Sequence, residues 1–554
     1  MPPGIQVALP AAVLGAAALL VWFAGAAGLR VGRPLAATSA WIALAALCLL
    51  WLPRRGIAEL AGPNLIPGAR LLFRLDAVSF AFGLCVLVPA ALLLTFQRRG
   101  WRESGAAALT VAAALLAVLA DGILSTSLFW GSAATLLLVQ LRADHERATE
   151  VFWPALLAGW LALVWAGVAL EVTSGTAVYT AVPVTAMTSA TFLLIAAAAA
   201  LGSGLVPWRP WTAEMWDRPR LYGGSLAVAV LFPIGFYLLV RAYAADGGRW
   251  PSAWLNVLLG VLGVVIALMS ALRAQAAPTR REFLSEGLPG LGGYALLAFA
   301  VGTPIGISAG VTTLLVAAGL AALLPLLPEG PESRSAPLLL ALVAGAPPAA
   351  TFAARALVLM AGFEAGEGWG FLAVAAVVAW LLGFAGAARA GHLPARPRGA
   401  EAAGSAAGAG LAAVALLAGG ALLGQVVSRV SVPATAEVLS GAPGAIGGGG
   451  VAVLTTAGGW AAVALGLPLL VLVLLPILVS RRSLPAATAD APEPPLRLPW
   501  TGIAAGVGAR LSGLRVPEQY RSLVNPRAVE AAMGRGQPLL WAVLLLALAV
   551  AVNR

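Results

Sequence analysis

The chain of 554 residues contains no lysine, so all 34 of its basic side chains are arginine. Buried lysine can lose its proton and buried arginine effectively cannot, which excludes a proton carrier of the buried-amine kind. Histidine is nearly absent too, with only His145 and His392, and both fall in loops between apolar runs. The two cysteines, Cys48 and Cys85, lie far apart in apolar segments and give neither metal spacing nor a disulfide framework. With no cysteine cluster for iron–sulfur, no paired histidine for haem and no dinucleotide fingerprint after a strand, no cofactor is expected, and no catalysis by this chain alone. Charge of either sign is scarce, at 10% of residues with a net charge of +11. The arginines are dispersed over short loops instead of forming one basic face, so a nucleic-acid partner is excluded.

What is present is apolar: 60% of residues are hydrophobic and the mean hydropathy is +0.93. That composition belongs to an all-α polytopic membrane protein, with lipid as its first partner. Apolar runs of helix-spanning length number about 14–16. They fall at 5–28, 34–52, 75–96, 104–120, 122–141, 148–171, 187–206, 221–242, 252–273, 289–303, 305–327, 336–361, 368–389, 405–426, 451–479 and 537–552. The first run lacks a basic leader and is too long for a signal segment, so it reads as a retained span. Gly441–Gly450 reads as a loop, and Arg481–Gly536, interrupted by prolines, as a polar cytoplasmic segment of short amphipathic pieces.

Arginine placement sets the expected topology. Arg30, Arg98, Arg99, Arg142, Arg218, Arg280 and Arg396 follow odd-numbered spans, whereas loops after even-numbered spans carry almost none. The segment 53–74, with Arg54, Arg55, Arg70 and Arg74, is the exception. The positive-inside rule then gives a multi-pass inner (cytoplasmic) membrane protein with both termini outside.

Two spans are interrupted. The twelfth contains Gly345-Ala346-Pro347-Pro348 and, seven residues later, Arg355. Proline removes a backbone donor, the freed carbonyl must be satisfied within the protein, and an arginine at membrane depth costs at least about 2.5–3.5 kcal/mol. The seventh ends in Gly202-Ser203-Gly204 followed by Pro207. The breaks lie five spans apart, an odd offset that reverses orientation, so spans 4–8 and 9–13 can form two inverted five-helix repeats with broken helices seven and twelve. The expected units are 1–103, 104–250, 251–390, 391–480, 481–536 and 537–554.

Several stretches resemble the antiporter-like membrane subunits of respiratory complex I, the L/M/N type related to Mrp antiporter and membrane-bound hydrogenase subunits. Leu75-Asp76-Ala77-Val78-Ser79 is similar to that family's Leu-Asp-x-x-Ser, and Leu128-Phe129-Trp130 to the aromatic run before its glutamate. Val206-Pro207-Trp208-Arg209-Pro210-Trp211 follows broken helix seven, Gly235–Arg241 matches Gly-x-Tyr-Leu-x-x-Arg, and Gly345–Arg355 matches Gly-x-Pro-Pro…Phe-x-x-Lys. The matches run in family order over roughly residues 70–390.

The resemblance implies a central row of glutamate, lysine and histidine that passes protons. Here Gly131 stands at the glutamate position, Gly202 at the helix-seven lysine and Pro233 at a helix-eight lysine, and Ala309–Leu320 has no His…Lys counterpart. Only Arg355 stays cationic. A relay needs groups that take and give a proton near neutral pH, which arginine does poorly. Asp76 and Asp121 read as interfacial caps or surface charges, Glu171, Glu364 and Glu367 as outer-end charges, and Trp208 and Trp211 as belt aromatics. The cluster Arg280-Arg281-Glu282 reads as solvated loop charge.

Three functions are expected from this pattern. The first is a structural and assembly subunit of a complex I-like or hydrogenase-like oxidoreductase, with proton conduction lost and other membrane subunits as partners. The second is an active proton or cation translocator rerouted through Arg355, Ser203, Thr312 and Thr313. The third is a membrane partner of a soluble enzyme, as in inorganic-carbon accumulation. No metal site or catalytic residue is expected.

Overall fold

The computed structural model describes residues 3–439 apart from 30–31, 54–55, 67–68, 97–99, 145, 206–210, 213–221, 278–279, 324–335 and 391–405. The two last expected spans, the glycine-rich loop, the polar segment 481–536, both histidines, Pro207, Trp208 and Arg209 lie outside the described residues.

Described residues form the helices α1 (Pro3–Ala26), α2 (Gly32–Trp51), α3 (Ala77–Phe96), α4 (Trp101–Leu119), α5 (Ile123–Asp144), α6 (Glu146–Ser174), α7 (Ser189–Gly202) and α8 (Tyr222–Ala245). They continue as α9 (Ala253–Ala276), the short α10 (Arg280–Ser285), α11 (Gly287–Val301), α12 (Pro304–Leu323), α13 (Ala336–Ala344), α14 (Ala350–Glu364) and α15 (Glu367–Ala390). A bent last segment follows as α16 (Ala406–Ala421), α17 (Leu423–Val426), a π-helical turn Val427–Ser431 and α18 (Val432–Val438). Among the described residues, eleven helices are long and apolar enough to cross a membrane alone. The shorter α7, the pair α13–α14 and the bent segment occupy the remaining expected positions.

Burial separates the middle of the bundle from its rim. Residues 225–243 of α8 are all buried, whereas 39% of the most apolar stretch is buried in α1, α2 and α15. The rim exposes Phe23, Leu49, Val172 and Phe371 at 72–80%, a surface suited to lipid and costly in water. Close helix approach uses missing side chains: a Cβ on Gly263 of α9 would stand 2.7 Å from the Gly293 carbonyl oxygen of α11. Small residues that admit a neighbouring backbone are the usual contact in lipid, where tails compete equally for apolar surface.

Two elements differ from the sequence expectation. The arginine-bearing segment 53–74 contains an antiparallel hairpin, β1 (Ala58–Ile66) and β2 (Ala69–Leu75), paired from Ala58↔Leu75 to Ile66↔Ala69. Its alternation is broken by register shifts beside exposed Pro63, which is why no clean period of two was visible. The fourteenth span does not stop at residue 426 but turns by 64° and continues to Val438.

Candidate functional site

The hairpin leads into a buried ionic cluster. Asp76, just before α3, is 0% exposed and accepts two 2.8 Å hydrogen bonds from Nη1 and Nη2 of Arg241, near the end of α8. Nη2 of Arg241 also donates to Ser79 Oγ at 2.7 Å and Nε to the Tyr237 hydroxyl at 3.1 Å, which in turn donates to the Ala120 carbonyl at 2.8 Å. The Asp76 carboxylate further accepts the Ser79 backbone N–H at 2.8 Å, capping α3. Arg74 of β2 adds 3.1 Å contacts to Asp76, Glu59 and Glu437. Two of the motifs read along the sequence thus meet in space through an ion pair.

The cap expected of Asp76 is present, but the surface reading is corrected: the strand delivers it beneath α8, out of reach of water. Asp121 is corrected likewise, being 0% exposed and accepting from Thr180 at 2.7 Å. Burial pushes its carboxyl above the ordinary range, opposed by Arg241 and Thr180. Both readings failed because a residue at a span end looks interfacial until a neighbouring loop covers it.

The first break ends α7. Ser203 follows it, and Gly204 takes a left-handed φ of +65°, which a side chain would strain. Trp211 is 1% exposed and donates its indole N–H to the Leu201 carbonyl at 2.9 Å, so it seals the break instead of sitting in an aromatic belt. The hydroxyl of Ser203 donates to the Phe232 carbonyl at 2.7 Å. Beside it lies a small void of about 10 Å³ lined by apolar groups such as Ala199, Leu239 and Leu296. Pro233 lies buried inside α8.

The spaces beside the two glycines are occupied. A Cβ on Gly202 would stand 2.6 Å from Cζ2 of Trp130, and one on Gly131 would stand 2.7 Å from Nε1 of Trp160. Trp130 is 1% exposed, and Trp160 is held by a 3.0 Å hydrogen bond to the Ser127 carbonyl. Indole rings therefore fill the room that a longer side chain at either position needs.

The second break separates α13 from α14. Gly345 has φ +97° and the Pro347-Pro348 peptide is cis. Thr351 Oγ1 donates to the Leu342 carbonyl near the end of α13, which also accepts the Gly345 backbone N–H at 3.2 Å. Arg355, one turn into α14, is 6% exposed. Its guanidinium lies 5.4 Å from the Tyr294 ring centroid, and Nη1 reaches the Thr351 carbonyl at 3.4 Å. Arg355 borders a small cleft of about 40 Å³ that Tyr294, Trp380, Ser270 and Glu286 also line. Glu286 pairs with Arg273 of α9 at 2.9 Å, and its second carboxylate oxygen is buried without a partner.

Of the expected path residues, only Arg355 borders this cleft; Ser203 lines the pocket at the first break. Thr312 donates to the Ser308 carbonyl and shares a 2.8 Å hydrogen bond with Ser431, tying α12 to the π turn, while Thr313 donates to Ala309. Glu286 and Arg273 were missed by the sequence reading, which began the tenth span at residue 289. The available signal was an acid 13 residues beyond Arg273, where the ninth apolar run ends. Arg280, expected in solvent, is 8% exposed and donates to the Ala390 carbonyl at 3.3 Å.

No family model matches the chain, and no curated relative does. Solved structures do. A chain of the Mrp complex from Dietzia sp. DQ12-45-1b aligns with TM-score 0.65 at 21% identity, covering 99% of this chain and 63% of that one. A chain of respiratory complex I from Thermus thermophilus with bound NADH aligns with TM-score 0.65 at 23% identity, covering 78% of this chain and 99% of that one. The membrane-bound sulfane sulfur reductase, an archaeal respiratory membrane complex, gives TM-score 0.65 at 17% identity over 98% of this chain and 99% of its counterpart. This chain therefore spans less than two thirds of the Mrp chain it matches. It has the all-α polytopic fold of the membrane subunits in these three complexes, the antiporter-like fold that its motifs resemble.

Proposed function

We propose that the chain is a membrane subunit of a complex I-like or energy-converting redox complex in the inner membrane, serving assembly, with proton conduction lost. The observation that carries this reading is steric. At Gly131 and Gly202, where relay residues are expected, the neighbouring space belongs to Trp160 and Trp130. A titratable group there would need water beside it, and indole excludes water. The two helix breaks remain as inherited bends of two inverted repeats, with the first sealed by Trp211. Other membrane subunits carry the transport, and redox partners supply the chemistry.

The test uses the intact assembly with Arg355→Gln and Glu286→Gln introduced together. The expected proton-to-electron ratio equals that of the unaltered complex, with subunit composition preserved. A fall in the ratio with composition intact overturns the reading. It would favour the second one, proton or cation passage through the second half, for which the Glu286–Arg273 pair and Arg355 around one cleft are the supporting observation.

A further inference from the structure

Arg355 presents a charge problem at the second break. Among the described residues no carboxylate lies within ion-pair distance of it, and its Nε is buried without a partner. Its contacts are the edge-length 3.4 Å hydrogen bond to the Thr351 carbonyl and the face of Tyr294. Trp380, 5% exposed, likewise has a buried indole N–H with no acceptor. The two side chains converge: a Cβ on Gly345 would stand 2.2 Å from Nη1 of the same Arg355 guanidinium and 2.7 Å from Trp380 Nε1. Glycine at this position keeps that space clear of a side chain.

The cleft that both residues border, about 40 Å³, has room for one small ion or a few water molecules. Its charge is not balanced by its own lining, because Glu286 is already paired with Arg273 and Arg355 is left over. A cation in a low-dielectric site is tolerated when a counter-charge and hydrogen-bond acceptor reaches it. Arg355 Nε and Trp380 Nε1, donors without acceptors and one of them on a charged group, favour an anionic acceptor, against which the unpartnered Glu286 Oε2 of the same cleft acts.

We propose that the cleft at the second helix break is a binding site for a small monovalent anion such as chloride, held by Arg355 and the indole N–H of Trp380. The site places a neutralising charge inside the bundle and stands whether or not the subunit conducts protons. Glu286 lines the same cleft and weakens the site by its carboxylate field.

The test measures the unfolding midpoint of the purified full chain in lipid nanodiscs at constant ionic strength, as sodium gluconate is replaced by sodium chloride. A saturable rise is expected, and sodium bromide reproduces it. Trp380→Phe, which keeps the ring and removes the donor, raises the half-saturating chloride concentration about tenfold, the loss of one hydrogen bond to a charged partner at roughly 1.4 kcal/mol. Arg355→Gln abolishes the rise, and Glu286→Gln tightens the site. Superimposable chloride and gluconate curves for the unaltered chain overturn the proposal and point to a carboxylate of a neighbouring subunit as the counter-charge. An unchanged response in Trp380→Phe overturns it as well, and that variant remains informative if Arg355→Gln does not fold. The readout is made on the isolated chain, so its failure is separate from failure of the proton-to-electron measurement on the assembly.

Discussion

The Asp76–Arg241 pair has almost every polar atom answered from within the bundle: four N–H bonds of one guanidinium go to a carboxylate, a serine and a tyrosine. Removing one partner strands the other, so Arg241→Met is expected to cost about 3–5 kcal/mol in unfolding free energy. Adding Asp76→Leu to it should cost less than the two single changes summed, a coupling that a double-mutant cycle in detergent will read. Asp246, just past α8, supplies a pH signature. Burial pushes its carboxyl up to about 6, against the lowering charge of Arg249. An unfolded aspartate titrates near about 3.9. Between these values the folded state holds a proton that the unfolded state has lost, so stability falls as pH rises from about 4 to about 6 and then levels. In Asp246→Asn that component of the slope should vanish from the midpoint-versus-pH curve. The residues of the ion pair were legible as motif members, but their pairing was not. They stand 165 positions apart, and no local spacing encodes that contact.

At the level of elements, helix existence was readable because lipid imposes a simple requirement of about 20 apolar residues per crossing. Both breaks were readable for the same reason, since glycine and proline interrupt that run visibly. The hairpin was hidden by its bulges, and the start of the span that contains α11 by the charged turn that precedes it. The packing between elements was hidden as well: nothing in the order of residues says that Trp130 of α5 occupies the side-chain space of Gly202 in α7. Gly202→Ala tests that contact. A methyl there gains at most about 1 kcal/mol of helix propensity, and less at a helix end. Forcing it against a buried indole costs about 1–3 kcal/mol. Net destabilisation is therefore expected in thermal unfolding, and Trp130→Ala in the same chain should remove most of the penalty of the added methyl.

At the level of the whole molecule, a buried middle around α8 and a rim of exposed leucine, valine and phenylalanine give a body that depends on lipid or neighbouring subunits for its outer surface. The fold class followed from composition alone, and the likeness to solved respiratory subunits supports it. The candidate site was half visible. Arg355 could be found as a cation misplaced in an apolar run, while its cleft, with Trp380 and Tyr294, exists only once α9, α11, α13, α14 and α15 converge. The hairpin arginine carries a consequence for how the protein is made. Arg74 meets Glu437 across 363 residues of chain. At about 5–20 residues per second, synthesis leaves roughly 20–70 s between the two. During that interval the ribosome-bound intermediate shows the membrane an incomplete cluster. Chains truncated before α18 would lack the Glu437 contact to Arg74 permanently.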